Sequence, residues 1–216
     1  MHFVKVLLLL ALTSCSYSHK VNQDLKVENM KYEVATFGMG CFWCGQKKFD
    51  KVDGIKQTRV GYLKYEESKT ADKKIKSIPT NHVSYCKICS GAAKNYVEVV
   101  QVKFDPKVIS YKDVMMKFYS FHKPTEKDRQ GKDLEDVGFQ YKSAIFYHSD
   151  EQKNEANKFM KDLNHSQYNN KLKTEIAQYK AENFKQAEWY HQNYWANLAS
   201  LENTGSVHIK ATQWKD

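Results

Sequence analysis

Nine consecutive residues, Tyr96-Val97-Glu98-Val99-Val100-Gln101-Val102-Lys103-Phe104, constrain this chain more than any other stretch. Valines and terminal aromatics favour an extended backbone, and the two-residue period sorts their side chains onto two faces. Val97, Val99 and the aliphatic stem of Gln101 share one face. Glu98, Val100, Val102 and Phe104 share the other. A carboxyl therefore sits on the greasier face, where a buried acid can keep a proton.

The flanking segments alternate between strand and helix patterns. Tyr32 to Phe37 reads as a strand, and Gly38 and Gly40 bracket a turn. Cys41 to Val52 follows as a helix, with Phe42, Phe49 and Val52 on one side and Lys47, Lys48 and Lys51 toward solvent. Asp53-Gly54 ends it. Ile55 to Tyr62 is a second strand, and 64–77 is a charged loop without a period. Residues 79–95 are irregular. Asp105-Pro106 turns the chain, and Ser110 caps a helix from Tyr111 to Phe121. His122 to Phe139 is a long loop and Tyr141 to Tyr147 a strand. Ser149 and Gln152 fit a capping box over a helix at 150–163. Leu172 to Ile176 reads as a short edge strand, and Lys185 to Leu198 as a helix. This order predicts an α/β (α+β) two-layer sandwich: a mixed sheet with packed helices around a ferredoxin-like core, spanning 32–200 and followed by a tail at 201–216.

The N-terminus has a different character. His2 and Lys5 precede Val6-Leu7-Leu8-Leu9-Leu10-Ala11-Leu12, too short an apolar run to span a bilayer and shaped like a signal-peptide core. Leu12-Thr13-Ser14-Cys15 is similar to a bacterial lipobox. The expectation is a signal at 1–14, lipid attachment at Cys15, a polar tether at 15–31, and an exported protein anchored to the bacterial envelope. Plain secretion is the alternative. The 216 residues carry 34 Lys and Arg against 25 Asp and Glu, a net of +9. The excess is scattered and no nucleic-acid motif accompanies it, which excludes a polyanion site and leaves a basic solvated surface on an expected monomer.

Cys41 is the candidate nucleophile, because amides at a helix start favour a thiolate. Phe42 and Trp43 beside it could box a methyl thioether. Cys44 completes a Cys-x-x-Cys pair, and Cys86-Lys87-Ile88-Cys89 repeats it. The spacing admits three readings: a redox disulfide in a sulfoxide reductase, a general thiol–disulfide oxidoreductase, or a zinc-stapled binding module held by Cys41, Cys44, Cys86 and Cys89.

A set of short segments favours the first. Gly40-Cys41-Phe42-Trp43 leads it. Cys89-Ser90-Gly91, Glu98-Val99-Val100, Phe104-Asp105-Pro106, Ile109-Ser110-Tyr111, Arg129-Gln130-Gly131, Asp136-Val137-Gly138, 140–145 and 190–194 follow in order. Together they resemble the A-type peptide methionine sulfoxide reductases. The resemblance implies Cys41 as the catalytic cysteine, Glu98 as proton donor to the sulfoxide oxygen, and Tyr85 and Tyr141 as phenols bonded to that oxygen. It implies Asp136 as an acid organising water, Phe42 and Trp43 as the methyl-binding rings, and His191 as a neighbour of the site. The implied substrate is the S epimer of methionine sulfoxide, free or in oxidised proteins, with no cofactor and no metal. A thioredoxin-like or other dithiol reductant is the implied partner. No cysteine follows Cys89, so the resolving thiol must be Cys44, Cys86 or Cys89. Cys86 is the expected one, because a loop swings more easily than a helix. The chain departs from the family pattern at 92–97, where Tyr96 stands at or near the place of a histidine. Leu63-Lys64-Tyr65 replaces a glycine pair, and Lys132-Asp133-Leu134-Glu135 lengthens the loop before Asp136.

Overall fold

The computed structural model describes residues 32–65, 78–126, 137–204 and Trp214, all within one compact unit, Tyr32–Asp216. Its centre is a six-stranded sheet of β1 (Glu33–Met39), β2 (Ile55–Lys64), β3 (Tyr96–Phe104), β4 (Ser143–Tyr147), β5 (Glu175–Gln178) and β6 (Phe184–Gln186). The spatial order is β5-β4-β1-β3-β2-β6. Every pairing is antiparallel except β4 with β5. Helix α1 (Phe42–Phe49) joins β1 to β2, and α3 (Tyr111–Phe121) lies between β3 and β4. The four inner strands and these two helices make the split βαβ arrangement of a ferredoxin-like core. Further helices are α2 (Tyr85–Cys89), α4 (Asp150–Gln167) and α5 (Tyr194–Thr204).

The alternation of β3 divides the interior as expected. Val100, Val102 and Phe104 join Phe37, Phe49, Val114, Met115 and Phe118 in the larger core, beneath the helices. Val97 and Val99 pack on the other face with Leu63, Ala144 and Phe146. Every residue of β3 is buried except Lys103, as suits a strand with neighbours on both edges.

Two glycines fix how α1 meets the sheet. Gly40 has φ 87°, a conformation that L side chains rarely adopt, and it turns β1 into the helix. A Cβ on Gly45 would lie 2.8 Å from Val100 and 3.0 Å from Met39, so the absent side chain lets α1 sit close over β3.

Three sequence expectations are corrected. Lys185 to Leu198 is not one helix: β6 pairs with β2, a 3-10 turn covers Trp189–His191, and α5 starts only at Tyr194. Asn193, at φ 52°, breaks the chain between turn and helix. The edge strand is Glu175–Gln178 rather than Leu172 to Ile176, and Tyr141 belongs to a 3-10 turn before β4. The expected signal, Cys15, the tether, Asp136 and Arg129-Gln130-Gly131 lie outside the described residues.

Candidate active site

The site forms where the start of α1 meets the middle of β3. Cys41 is the N-cap residue of α1, and its carbonyl accepts from the amides of Cys44 and Gly45, each at 3.2 Å. Its side chain does not cap the helix. The amide of Phe42 instead donates to Glu98 Oε2 at 3.1 Å. A helix start has amides without intrahelical partners, and the carboxyl from β3 takes one of them. Glu98 is only 1% exposed, so nucleophile and acid share one buried helix end.

Cys41 is half-buried and Cys44 exposed. The Cys41 thiol hydrogen-bonds to the sulfur of Cys44 one turn on, and this contact, then burial, then the nearby Glu98 charge, push its pKa well above the ordinary thiol range. The amides of Trp43 and Cys44 pull the other way and lose. The expectation that the helix start lowers this pKa is therefore corrected: in the free protein the amides are outweighed by a second thiol, a low-dielectric setting and a carboxylate.

An aromatic wall closes one side. Phe42 is buried, 5.7 Å from the Tyr62 ring and 5.4 Å from the His191 ring, centre to centre. Trp43 stacks on Tyr194 at 4.0 Å with the planes 9° apart, and its indole N–H donates to His191 Nδ1 at 3.0 Å. That bond places the proton of neutral His191 on Nε2. Burial lowers the His191 pKa, against an opposing pull from Glu188. Tyr85 faces both rings, 6.3 Å from Trp43 and 4.5 Å from His191. Its phenol is pushed above the usual range by burial, by a hydrogen bond to the Cys89 sulfur, and by the charges of Cys89, Glu98 and Cys41.

Sequence reasoning missed Glu188. Its Oε2 accepts from the Tyr62 hydroxyl at 2.8 Å, and its Oε1 accepts from the Tyr85 amide at 3.1 Å. The His191 Nε2 lies 3.9 Å from Oε2. Burial would raise Glu188, but these donors, its own backbone amide and His191 hold it below the usual carboxylate range. One carboxylate thus fixes the start of α2, the Tyr62 phenol and the side of His191 away from Trp43. The signal was faint, a single acid beside the aromatic run 189–191.

The loop carrying Glu188 and His191 is bolted to the core by glutamines. Gln192 donates to the carbonyls of Val60 and Ala187 and accepts from the Val60 amide at 3.0 Å. Gln46 of α1 accepts from the Asn193 amide at 2.7 Å and donates to Thr58 at 3.1 Å. Tyr96, at the departure from the family pattern, is buried, and its hydroxyl donates toward the Ile78 carbonyl and Thr80 Oγ1. It braces the approach to α2.

Of the predicted residues, the structure gathers Cys41, Cys44, Phe42, Trp43, Tyr85, Glu98 and His191. Tyr141 is half-buried on the turn that packs against β3. Cys86 and Cys89 are exposed on α2. Among the described residues no three His, Cys, Asp or Glu side chains converge to hold a metal, so the four-cysteine zinc staple is not assembled.

A family model described as peptide methionine sulfoxide reductase matches residues 33–215. The chain belongs to this family. The peptide methionine sulfoxide reductase MsrA of Methanothermobacter thermautotrophicus is 42% identical over 165 residues, 76% of this chain and 86% of that protein. The MsrA of Thermus thermophilus is 37% identical over 77% of this chain and 84% of its own length. The reduced crystal structure of Mxr1 from Saccharomyces cerevisiae superposes with a TM-score of 0.63 at 34% identity, covering 83% of this chain and 89% of that one. Methionine sulfoxide reductase A of Corynebacterium diphtheriae, at 24% identity and a TM-score of 0.62, shares the fold over 81% of this chain and 76% of its own.

Proposed function

We propose that this protein reduces the S epimer of methionine sulfoxide, free or in oxidised proteins, with Cys41 as nucleophile and Glu98 as proton donor. The observation that carries the reading is the pairing of the Cys41 thiol with the buried Glu98 carboxyl at one helix end, beside the Phe42 and Trp43 rings. The rings offer an apolar wall for the methyl group. Glu98, with the phenols of Tyr85 and Tyr141, supplies the polar wall for the oxygen. Holding methyl and oxygen on opposite walls selects one epimer.

The Cys41 sulfur attacks the sulfoxide sulfur while the oxygen takes a proton from Glu98. The oxygen ends on Cys41: substrate sulfur gains two electrons and leaves as methionine, and Cys41 loses two and becomes a sulfenic acid. Geometry favours Cys44 over Cys86 for the next step, because Cys44 already hydrogen-bonds to the Cys41 thiol. Its sulfur displaces water from the sulfenic acid and forms a Cys41–Cys44 disulfide. A thioredoxin-like or other dithiol restores both thiols and is itself oxidised. Asp136 is assigned the ordering of water at the site. The protein is exported, acylated at Cys15, and acts as a monomer at the envelope.

The test is turnover of each sulfoxide epimer with a dithiol reductant, alongside Cys41→Ser. Loss of the S epimer alone, abolished by the substitution, is expected. Consumption of the R epimer, or turnover surviving in Cys41→Ser, overturns the assignment.

A further inference from the structure

The chain carries two Cys-x-x-Cys pairs, and the chemistry above uses one. Cys86 and Cys89 lie on α2, exposed, with free thiols. Residues three apart on a helix have Cα atoms about 5 Å apart, inside the roughly 4.4–6.8 Å that a disulfide spans. The pair is wired to the site through Tyr85, the first residue of the same helix. The Tyr85 hydroxyl is bonded to the Cys89 sulfur and feels the charges of Cys41 and Glu98, while its ring packs against Trp43. On the other side of this contact, Cys44 exposes the outer sulfur of the inner pair.

We propose that Cys86 and Cys89 form a second redox-active dithiol, one that reduces the Cys41–Cys44 disulfide from within the same chain. The proposal rests on the sulfoxide reductase reading. The Cys89 sulfur, as thiolate, attacks Cys44; the Cys41–Cys44 bond breaks and Cys41 leaves as a thiolate that takes up the proton. The Cys86 thiol then loses its proton and attacks Cys89, forming the Cys86–Cys89 bond and releasing Cys44 as a thiol. One disulfide is broken and one made. Two electrons pass inward, and no external reductant enters. The outer pair then faces solvent, where a dithiol partner meets it, and the sulfoxide site is free for a second substrate.

Counting methionine decides the matter. The full chain, with Cys15→Ala so that the other four thiols are the whole supply, is reduced, freed of reductant and mixed with excess S-sulfoxide. The relay predicts about two equivalents of methionine per chain, with Cys41–Cys44 and Cys86–Cys89 both recovered by non-reducing peptide mapping. Adding Cys86→Ser, which leaves Cys89 against Tyr85, halves the yield. A yield of one equivalent from the four-thiol chain, or an unchanged yield with Cys86→Ser, overturns the relay alone. No methionine at all overturns the reductase reading beneath it.

Discussion

Glu98 does two things with one carboxyl, and they can be separated by substitution. It accepts from the Phe42 amide, and its charge helps keep Cys41 a thiol. Glu98→Gln retains an acceptor for the amide and removes both the charge and the acid. Turnover is expected to fall by about 10²- to 10⁴-fold, the usual worth of a positioned proton donor. The Cys41 pKa is expected to fall too, because a cause that raises it is gone. Iodoacetamide labelling of Cys41 across pH, read by mass spectrometry, checks the sign: its midpoint shifts to lower pH while catalysis collapses. Cys44→Ala removes the larger raising contact and is expected to lower that midpoint further. Glu188 makes a different prediction. Glu188→Ala releases the Tyr62 hydroxyl, the Tyr85 amide and its hold beside His191. Substrate placement suffers more than proton transfer, so KM for S-sulfoxide is expected to rise about tenfold, roughly the loss of a charged hydrogen bond, with kcat changing less. Cys41, Phe42, Trp43 and Glu98 were legible because each belongs to a short local pattern, a helix start or an alternating strand. Glu188 and Tyr194 were not, because what gives them meaning is the distant chain they meet.

At the scale of elements, the sheet is stitched by a polar row on the face away from α1. His148 Nε2 pairs with Thr36 Oγ1 at 2.8 Å, Gln101 donates to Thr36 at 3.0 Å, and Arg59 donates to Gln101 at 2.6 Å. The row crosses from the end of β4 through β1 and β3 to β2. Tyr179 stacks on His148, while Arg59 lies over the rings of Phe184 and Trp214. Burial, with help from Arg59, pushes the His148 pKa down to about 4. The sign follows from linkage. Between pH 6.5 and pH 4 the unfolded chain binds a proton that the folded chain refuses, so this group costs stability as pH falls through that window. The full cost is about 3 kcal/mol, at 1.36 kcal/mol for each unit between the two pKa values. Urea unfolding at pH 7 and at pH 4.5 is expected to show a larger acid-induced loss for the natural chain than for His148→Gln. Equal losses would mean that His148 is not held neutral by the fold. Strand alternation made β3 and its two faces readable in advance. The 185–198 segment misled because its aromatics recur as on a helix, yet β6 pairing, the Gln192 clamp and the backbone of Asn193 override that local signal.

For the whole molecule, the organisation expected from sequence separates address from chemistry. The family match begins at residue 33, and the nucleophile follows at the end of the first strand. The apolar run, Cys15 and the polar residues after it all precede that point. Among the described residues no helix is long and apolar enough to cross a membrane, so attachment in this proposal depends on lipid at Cys15. One acyl chain binds a bilayer only marginally, and stable anchoring needs a second chain or a basic surface. The net charge of +9 supplies positive charge that would favour anionic lipid, an attraction screened over about 10 Å at 0.1 M salt. The full chain expressed in a bacterium is therefore expected to sediment with membranes, and its N-terminal peptide to carry acyl mass on Cys15. Cys15→Ala is expected to move the protein to the soluble fraction with S-sulfoxide turnover per molecule unchanged. Neither the signature residues nor the clamp on the 187–193 loop involves the segment before residue 33. A Cys15→Ala protein that still sediments in high salt would show the anchor to be something other than lipid on this residue.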